Sequence, residues 1–108
     1  AGRNQLLFGA PHALVICTHR DLGHYGPVDC GVYLGTLLLA AQSLGIGIVA
    51  QAALAQHSKT IRQLFSIPND WIVVVGASFG FADDTNRVNQ FRSGRASLND
   101  NVSIIESL

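Results

Sequence analysis

The chain has 108 residues, 48% of them hydrophobic and only 13% charged, with seven basic side chains balanced by seven acidic ones. That length supports one core and is short for two domains. The zero net charge excludes a long-range field that would gather nucleic acid or an anionic membrane surface, and an apolar excess larger than a small monomer can hide predicts oligomerisation.

Along the chain, Ala1–Gln5 lack a basic stretch leading into an apolar one, so no signal peptide is expected, and two cysteines are too few for a secreted disulfide scaffold. A reducing cytoplasm is the expected compartment. Ala13–Thr18 (ALVICT) is a short apolar run with Val15 and Ile16, the pattern of a strand covered on both faces. His19–Pro27 reads as a loop. Asp29 is placed to cap a helix running to Leu44, with Gly45 as its stop. Its apolar positions, among them Val32, Tyr33, Leu34, Leu37, Leu38 and Leu39, go most of the way round, which predicts a buried helix. Between Asp29 and Lys59 there is no charged residue, so Val32–Ala50 also has to be weighed as a membrane span. Gln42, Ser43, Gly45 and Gly47 in its middle, and the lack of flanking basic or aromatic anchors, argue against that.

Ile46–Ala50 (IGIVA) predicts a second strand and Gln51–Gln56 a turn. A helix over Ser58–Phe65 follows, with Ile61, Leu64 and Phe65 as its core stripe and Pro68 ending it. Trp71–Val75 (WIVVV), β-branched and uninterrupted, predicts a central strand leaving through Gly76 and Gly80, where a bend or close backbone approach is the expected role of the glycines. Asp83–Asp100 is a polar arm without apolar periodicity. Asn101–Glu106 regains strand character, and an arm ending in a strand pairs readily with another chain. The alternation of strands and helices predicts an α/β or α+β sandwich of helices on a sheet, residues 1–108 forming one domain with 83–108 as extended arm and terminal strand.

Few motifs carry chemistry on their own. Gly45-x-Gly47 leaves a helix and enters a strand, the reverse of the order that binds a dinucleotide phosphate. His12, Cys17, His19, His24 and Cys30 have no standard metal-ligand spacing, so no metal is expected. Ser43 and Ser78 lack the context of an activated nucleophile. Any catalysis is therefore expected to be done by a bound cofactor. Arg87, Arg92 and Arg95, beside Asn89, Ser93 and Ser97, match the geometry of a phosphate, although Asp83 and Asp84 offer them ordinary ion pairs.

Three blocks, DCGVYLGTLLLAAQSLGIGIVAQAALA, IRQLFSIPNDWIVVVGASFGFAD and VNQFRSGRASLNDNV, resemble in order and spacing the C-terminal half of the FMN-dependent nitroreductase family. The resemblance covers Asp29 to Val102. It implies a nitroreductase-like three-layer sandwich, a mixed sheet covered by helices, here as a partial fold. It also implies an interlocked homodimer with FMN in the interface and Leu37–Leu44 packed at its core. Ala50, Gln51, Ala52 and Ala53 match the loop whose backbone N–H groups approach the isoalloxazine, and Arg95 matches the phosphate-binding arginine. Ser93 stands where some members have a second basic residue, a role that falls to Arg92.

The implied activity is NAD(P)H oxidation with hydride transfer through flavin N5 to a nitroaromatic, quinone or similar small acceptor, with no side chain required as acid or base. Family members are about twice as long, and their N-terminal half carries an Arg-x-Ser-x-Arg type segment that this chain lacks and Arg3 does not replace. The chain is therefore read as a truncation, and the alternative function is a dimerising module without flavin.

Overall fold

A computed structural model describes residues 6–106; Ala1–Gln5, including Arg3, and the last two residues lie outside the described residues. A short 3-10 turn at Leu7–Gly9 leads into strand β1, His12–His19. A second 3-10 turn, Arg20–Leu22, opens the helix α1, Tyr25–Ser43. Strand β2, Gly47–Gln51, runs straight into a five-residue helix α2, Ala52–Gln56, and then α3, Ser58–Phe65. Strand β3 is Trp71–Gly80, and two short helices, α4 (Arg87–Gln90) and α5 (Leu98–Asn101), lie in the arm beyond it.

β3 is central, as its β-branched run predicts: the strand order is β1-β3-β2. Both pairings are antiparallel, so a parallel component of the expected mixed sheet is not found among the described residues. β1 and β2 nevertheless run parallel to each other across β3, joined by the crossover through α1. A bulge interrupts the first ladder, where Ile16 faces Val75 but Cys17 faces Val73. Because side chains alternate across a strand, the sheet has two lined faces. Leu14, Ile48 and Phe79 meet Leu37 and Ala41 of α1 on one face. Leu54 of α2 sits on Gly76 on the other. The result is helix, sheet, helix: the three layers implied by the resemblance.

The helix boundaries follow from local chemistry, with several corrections. α1 begins four residues before Asp29, so Asp29 lies inside the helix rather than capping it. Pro27 is tolerated because a first-turn N–H has no intrahelical acceptor to lose. Gly26 lets that turn come down on β1, where a Cβ would stand 2.5 Å from Thr18 Oγ1. Gly45 does terminate the helix, with φ +71° and its N–H donated to Gln42 O at 3.1 Å. Gln51–Gln56, expected as a turn, is mostly helical. α3 matches its expected span, but its stop is Ser66 in the left-handed conformation, with Ile67 N–H donated to Arg62 O, two residues before Pro68. Gly76 and Gly80 lie within β3 rather than after it. The expected terminal strand is absent from this chain by itself: Val102–Glu106 form no ladder, although Val102 has extended backbone angles.

Burial departs from expectation in a consistent way. Within α1 only Gly26, Cys30 and Ala41 are buried, whereas Val32, Tyr33 and Leu39, with Leu44 just past its end, are between 60% and 76% exposed. Leu64 and Phe65 of α3 are also exposed. The core proper is small: Ile16, Cys30, Ala41, Val73 and Ala77. A helix that is apolar all round has only one side to offer a sheet, so its opposite side stays uncovered. The radius of gyration, 16.9 Å, exceeds the about 13 Å of a compact chain of this length. The arm accounts for the excess, since every residue from Phe81 to Glu106 is exposed.

Candidate functional site

The turn from β2 into α2 is built from Ala50, Gln51, Ala52 and Ala53. β2 is an edge strand, bonded to β3 on one side only, with Ala50 opposite Ala77 and Gln51 opposite Gly76. Gln51 keeps extended angles, φ −132° and ψ 93°, and serves as the N-cap of α2. The amides of the helix's first turn have no intrahelical acceptors, so the chain offers donors there. Ala50 and Ala52 are exposed and Ala53 is half-buried, while the Gln51 side chain is 2% exposed. The three alanines add only methyl groups, and a flat ligand can therefore approach the backbone itself.

Arg92 and Arg95 lie in the arm. Arg92 Nη1 donates to Asn89 O at 2.7 Å and Phe91 O at 3.0 Å. Arg95 Nη1 donates to Gly94 O at 3.1 Å, Ser93 O at 3.3 Å and Ser93 Oγ. None of these bonds reaches the Ala50–Ala53 turn, so within one chain the two halves of the expected site are not tied together. Nor do the arm carboxylates neutralise the arginines. Among the described residues the ion pairs all involve His19, with Asp21 and Asp70, and none involves Arg87, Arg92 or Arg95. Asp83 instead accepts from Thr85 N–H at 3.0 Å and Thr85 Oγ1 at 2.6 Å, bonds that hold its carboxyl below the usual range. Guanidinium forks bonded only to neutral oxygens remain strong anion donors.

The nitroreductase family model matches residues 1–81. The chain belongs to the nitroreductase family. It is 36% identical over 93 residues to the nitroreductase NfnB of Mycolicibacterium smegmatis and 33% identical over 95 residues to a 4-nitrobenzoate reductase of Pseudomonas putida. These alignments take in 86% and 88% of this chain but 39% and 42% of the relatives. Among solved structures, the FMN-dependent nitroreductase NfnB from Mycobacterium smegmatis in complex with NADPH superposes with a TM-score of 0.89 at 31% identity, over 96% of this chain and 46% of that one. A mutant of an FMN- and NADPH-dependent NfnB from a Sphigopyxis strain gives 0.92 at 26% identity, over 97% of this chain and 48% of that one. The chain thus spans less than half the length of these relatives. The expected family and fold are both borne out.

In this chain His12, His19 and the two cysteines serve the scaffold. His12 stacks on Phe79 with ring centroids 5.3 Å apart. His19 Nε2 lies 3.1 Å from Asp70 Oδ2, and Asp21 N–H donates to His19 Nδ1 at 3.3 Å. Arg20 adds its own N–H to Asp70 O and its guanidinium to Asn69 O. The end of β1 is thereby fastened to the start of β3. Arg62 fastens the same loop from α3, donating to Pro68 O at 2.7 Å and to Trp71 O. Burial pushes the Cys17 thiol up, against the opposing pull of the Arg62 charge. Both cysteines are free, and among the described residues no three His, Cys, Asp or Glu side chains come together as metal ligands. No described helix is long and apolar enough to cross a membrane.

These fastenings were missed at the sequence level. The partners of His19 and Arg20 lie about fifty residues away, with His19 and Asp70 separated by 51 positions, and no local spacing announces them.

Proposed function

We propose that this chain works as the C-terminal part of an FMN-dependent NAD(P)H oxidoreductase that reduces nitroaromatic, quinone or similar electron-poor acceptors, as a homodimer in the cytoplasm. The observation that carries this reading is the close superposition, across nearly the whole chain, on an FMN-dependent nitroreductase in complex with NADPH. The names of the curated relatives, nitrobenzoate and nitrobenzene reductases among them, support the acceptor class. The uncovered side of α1 supports a second subunit, since large exposed apolar areas mark interfaces. Free thiols at Cys17 and Cys30 suit a reducing compartment.

The residues present suit FMN. Amide donors on an edge strand and a first helical turn, bordered only by alanine methyls, suit the polar rim of a flat ring. Arg92 and Arg95, bonded only to backbone and hydroxyl oxygens of their own segment, can exchange those weak acceptors for a phosphate. FMN, when bound, would supply the hydride-transfer chemistry between NAD(P)H and the acceptor. The protein's part is to hold the ring with the amides of Ala50, Gln51, Ala52 and Ala53, whose N–H dipoles favour negative charge on it. Arg95, assisted by Arg92, would hold the phosphate. No side chain need move a proton at the reacting atoms.

The test is flavin retention after mixing purified protein with FMN and filtering. Stoichiometric yellow protein is expected, and Arg95→Ala should weaken binding roughly ten- to hundredfold, the scale of a lost charged hydrogen bond. Because Arg95 is exposed, the same substitution should leave stability within about 0.5 kcal/mol. A colourless, dimeric wild-type chain would overturn the reading in favour of a dimerising module without flavin.

A further inference from the structure

Gly76 sits in the central strand, paired with Val15 on one side and with Gln51, the last residue of β2, on the other. Three residues beyond Gln51, Leu54 of α2 comes down on it. A Cβ at position 76 would stand 2.2 Å from Leu54 Cδ1, 3.0 Å from its Cγ and 2.9 Å from its Cβ. The methyl end of a leucine can swing aside, but its Cβ is fixed to the backbone. Restoring ordinary carbon contact of about 3.5 Å from that 2.9 Å separation requires a retreat of roughly 0.6 Å. β3 is held by ladders on both edges, so the part that gives is α2. With no loop between β2 and α2, the movement passes directly into Ala52 and Ala53.

We propose that Gly76 is a positioning residue for the flavin: by lacking a Cβ it seats Leu54 against β3, and that seat sets the depth at which the Ala50–Ala53 amides meet the isoalloxazine. The inference rests on the FMN reading above. Hydrogen-bond donors lose strength steeply when displaced from their acceptor, and misplacement by about 1 Å costs around a hundredfold in well-placed sites. Donors drawn back from the ring also favour its reduced, more negative form less, so the midpoint potential should fall.

The experiment measures FMN affinity by titrating apoprotein, the midpoint potential of bound FMN and the thermal midpoint of apoprotein. Wild type, Gly76→Ala, Leu54→Ala and Gly76→Ala/Leu54→Gly are compared, the double variant removing the clashing Cβ. Gly76→Ala should weaken FMN at least tenfold and lower its potential, and the double variant should bind FMN more tightly than Gly76→Ala alone. Should Gly76→Ala fail to fold, Leu54→Ala, which unseats α2 without a clash, should move affinity and potential in the same directions to a smaller degree. If the folded variants lose thermal stability but keep wild-type affinity and potential, Gly76 is merely structural and the proposal is overturned. If wild type itself retains no FMN, it is the underlying reading that fails.

Discussion

The sandwich of residues 6–80 and the arm of residues 81–106 are two different kinds of chain. In the sandwich, Ile16, Val73 and Ala77 are buried, and long-range bonds such as His19 to Asp70 and Arg20 to Asn69 close the structure on itself. In the arm every residue is exposed, and the hydrogen bonds are local, as in the reciprocal cap between Ser97 and Asp100. The sandwich thus contains the reasons for its own shape. The arm has local turns but nothing that fixes its course, and its Phe81, Phe91, Leu98, Ile104 and Ile105 remain uncovered. The proposed site draws on both, taking a rigid turn from one and two arginines from the other.

Substitutions of matched chemistry sharpen this contrast. The largest effect is expected from Ile16→Ala, which empties a buried position and should cost about 2–4 kcal/mol in a denaturant melt. Ile105→Ala in the arm should stay within about 0.5 kcal/mol in the same melt, and a cost above 1 kcal/mol would mean that the arm is packed after all. Next comes Arg62→Ala, which removes bonds to Pro68 O and Trp71 O and should cost about 1–2 kcal/mol after allowance for partial exposure. Arg92→Ala, whose bonds reach only its immediate neighbours, should cost almost nothing.

The smallest effects are protonic, and they run in opposite directions in the two regions. Burial raises the Cys17 thiol above its usual 9.0, so its contribution to stability is fully present below that value and is lost as pH rises through the raised one. Alkylation of Cys17 at pH 8 should accordingly be slower than that of a free thiol. Asp83 is lowered from 3.8 by its bonds to Thr85, so it favours the arm's first turn above that pH and releases it as pH falls through the depressed value. Thr85→Val should bring the Asp83 titration, followed by NMR, back toward 3.8.

Much of the sandwich was legible in the sequence because its signals are local. The β-branched run of β3, the Gly45 stop and the amphipathic stripe of α3 each declare an element without reference to anything distant. The errors came where a distant partner decides. Asp29 looked like a cap, but Gly26 meeting Thr18 draws the helix start back to Tyr25. Val102–Glu106 have strand composition, but a strand exists only where another lies beside it. Of the site, the Ala50–Ala53 turn could be named from its resemblance. The seat beneath it could not, because nothing in the letters relates Leu54 to Gly76.

The strand order has a consequence for how such a chain is made. β3, which both other strands require, is the last of the three to be synthesised. His12 must wait for Phe79, and the hairpin-like shortcut of pairing neighbours is closed to β1 altogether. Until β3 is made, β1 and β2 lack the strand that each pairs with among the described residues, and exposed strand edges beside an apolar helix are prone to association between nascent chains. Once Trp71–Gly80 has cleared the ribosome, both ladders can close on it together, so folding should be a late and concerted event, and slow expression or a chaperone should raise the yield of native protein more than any change to the arm.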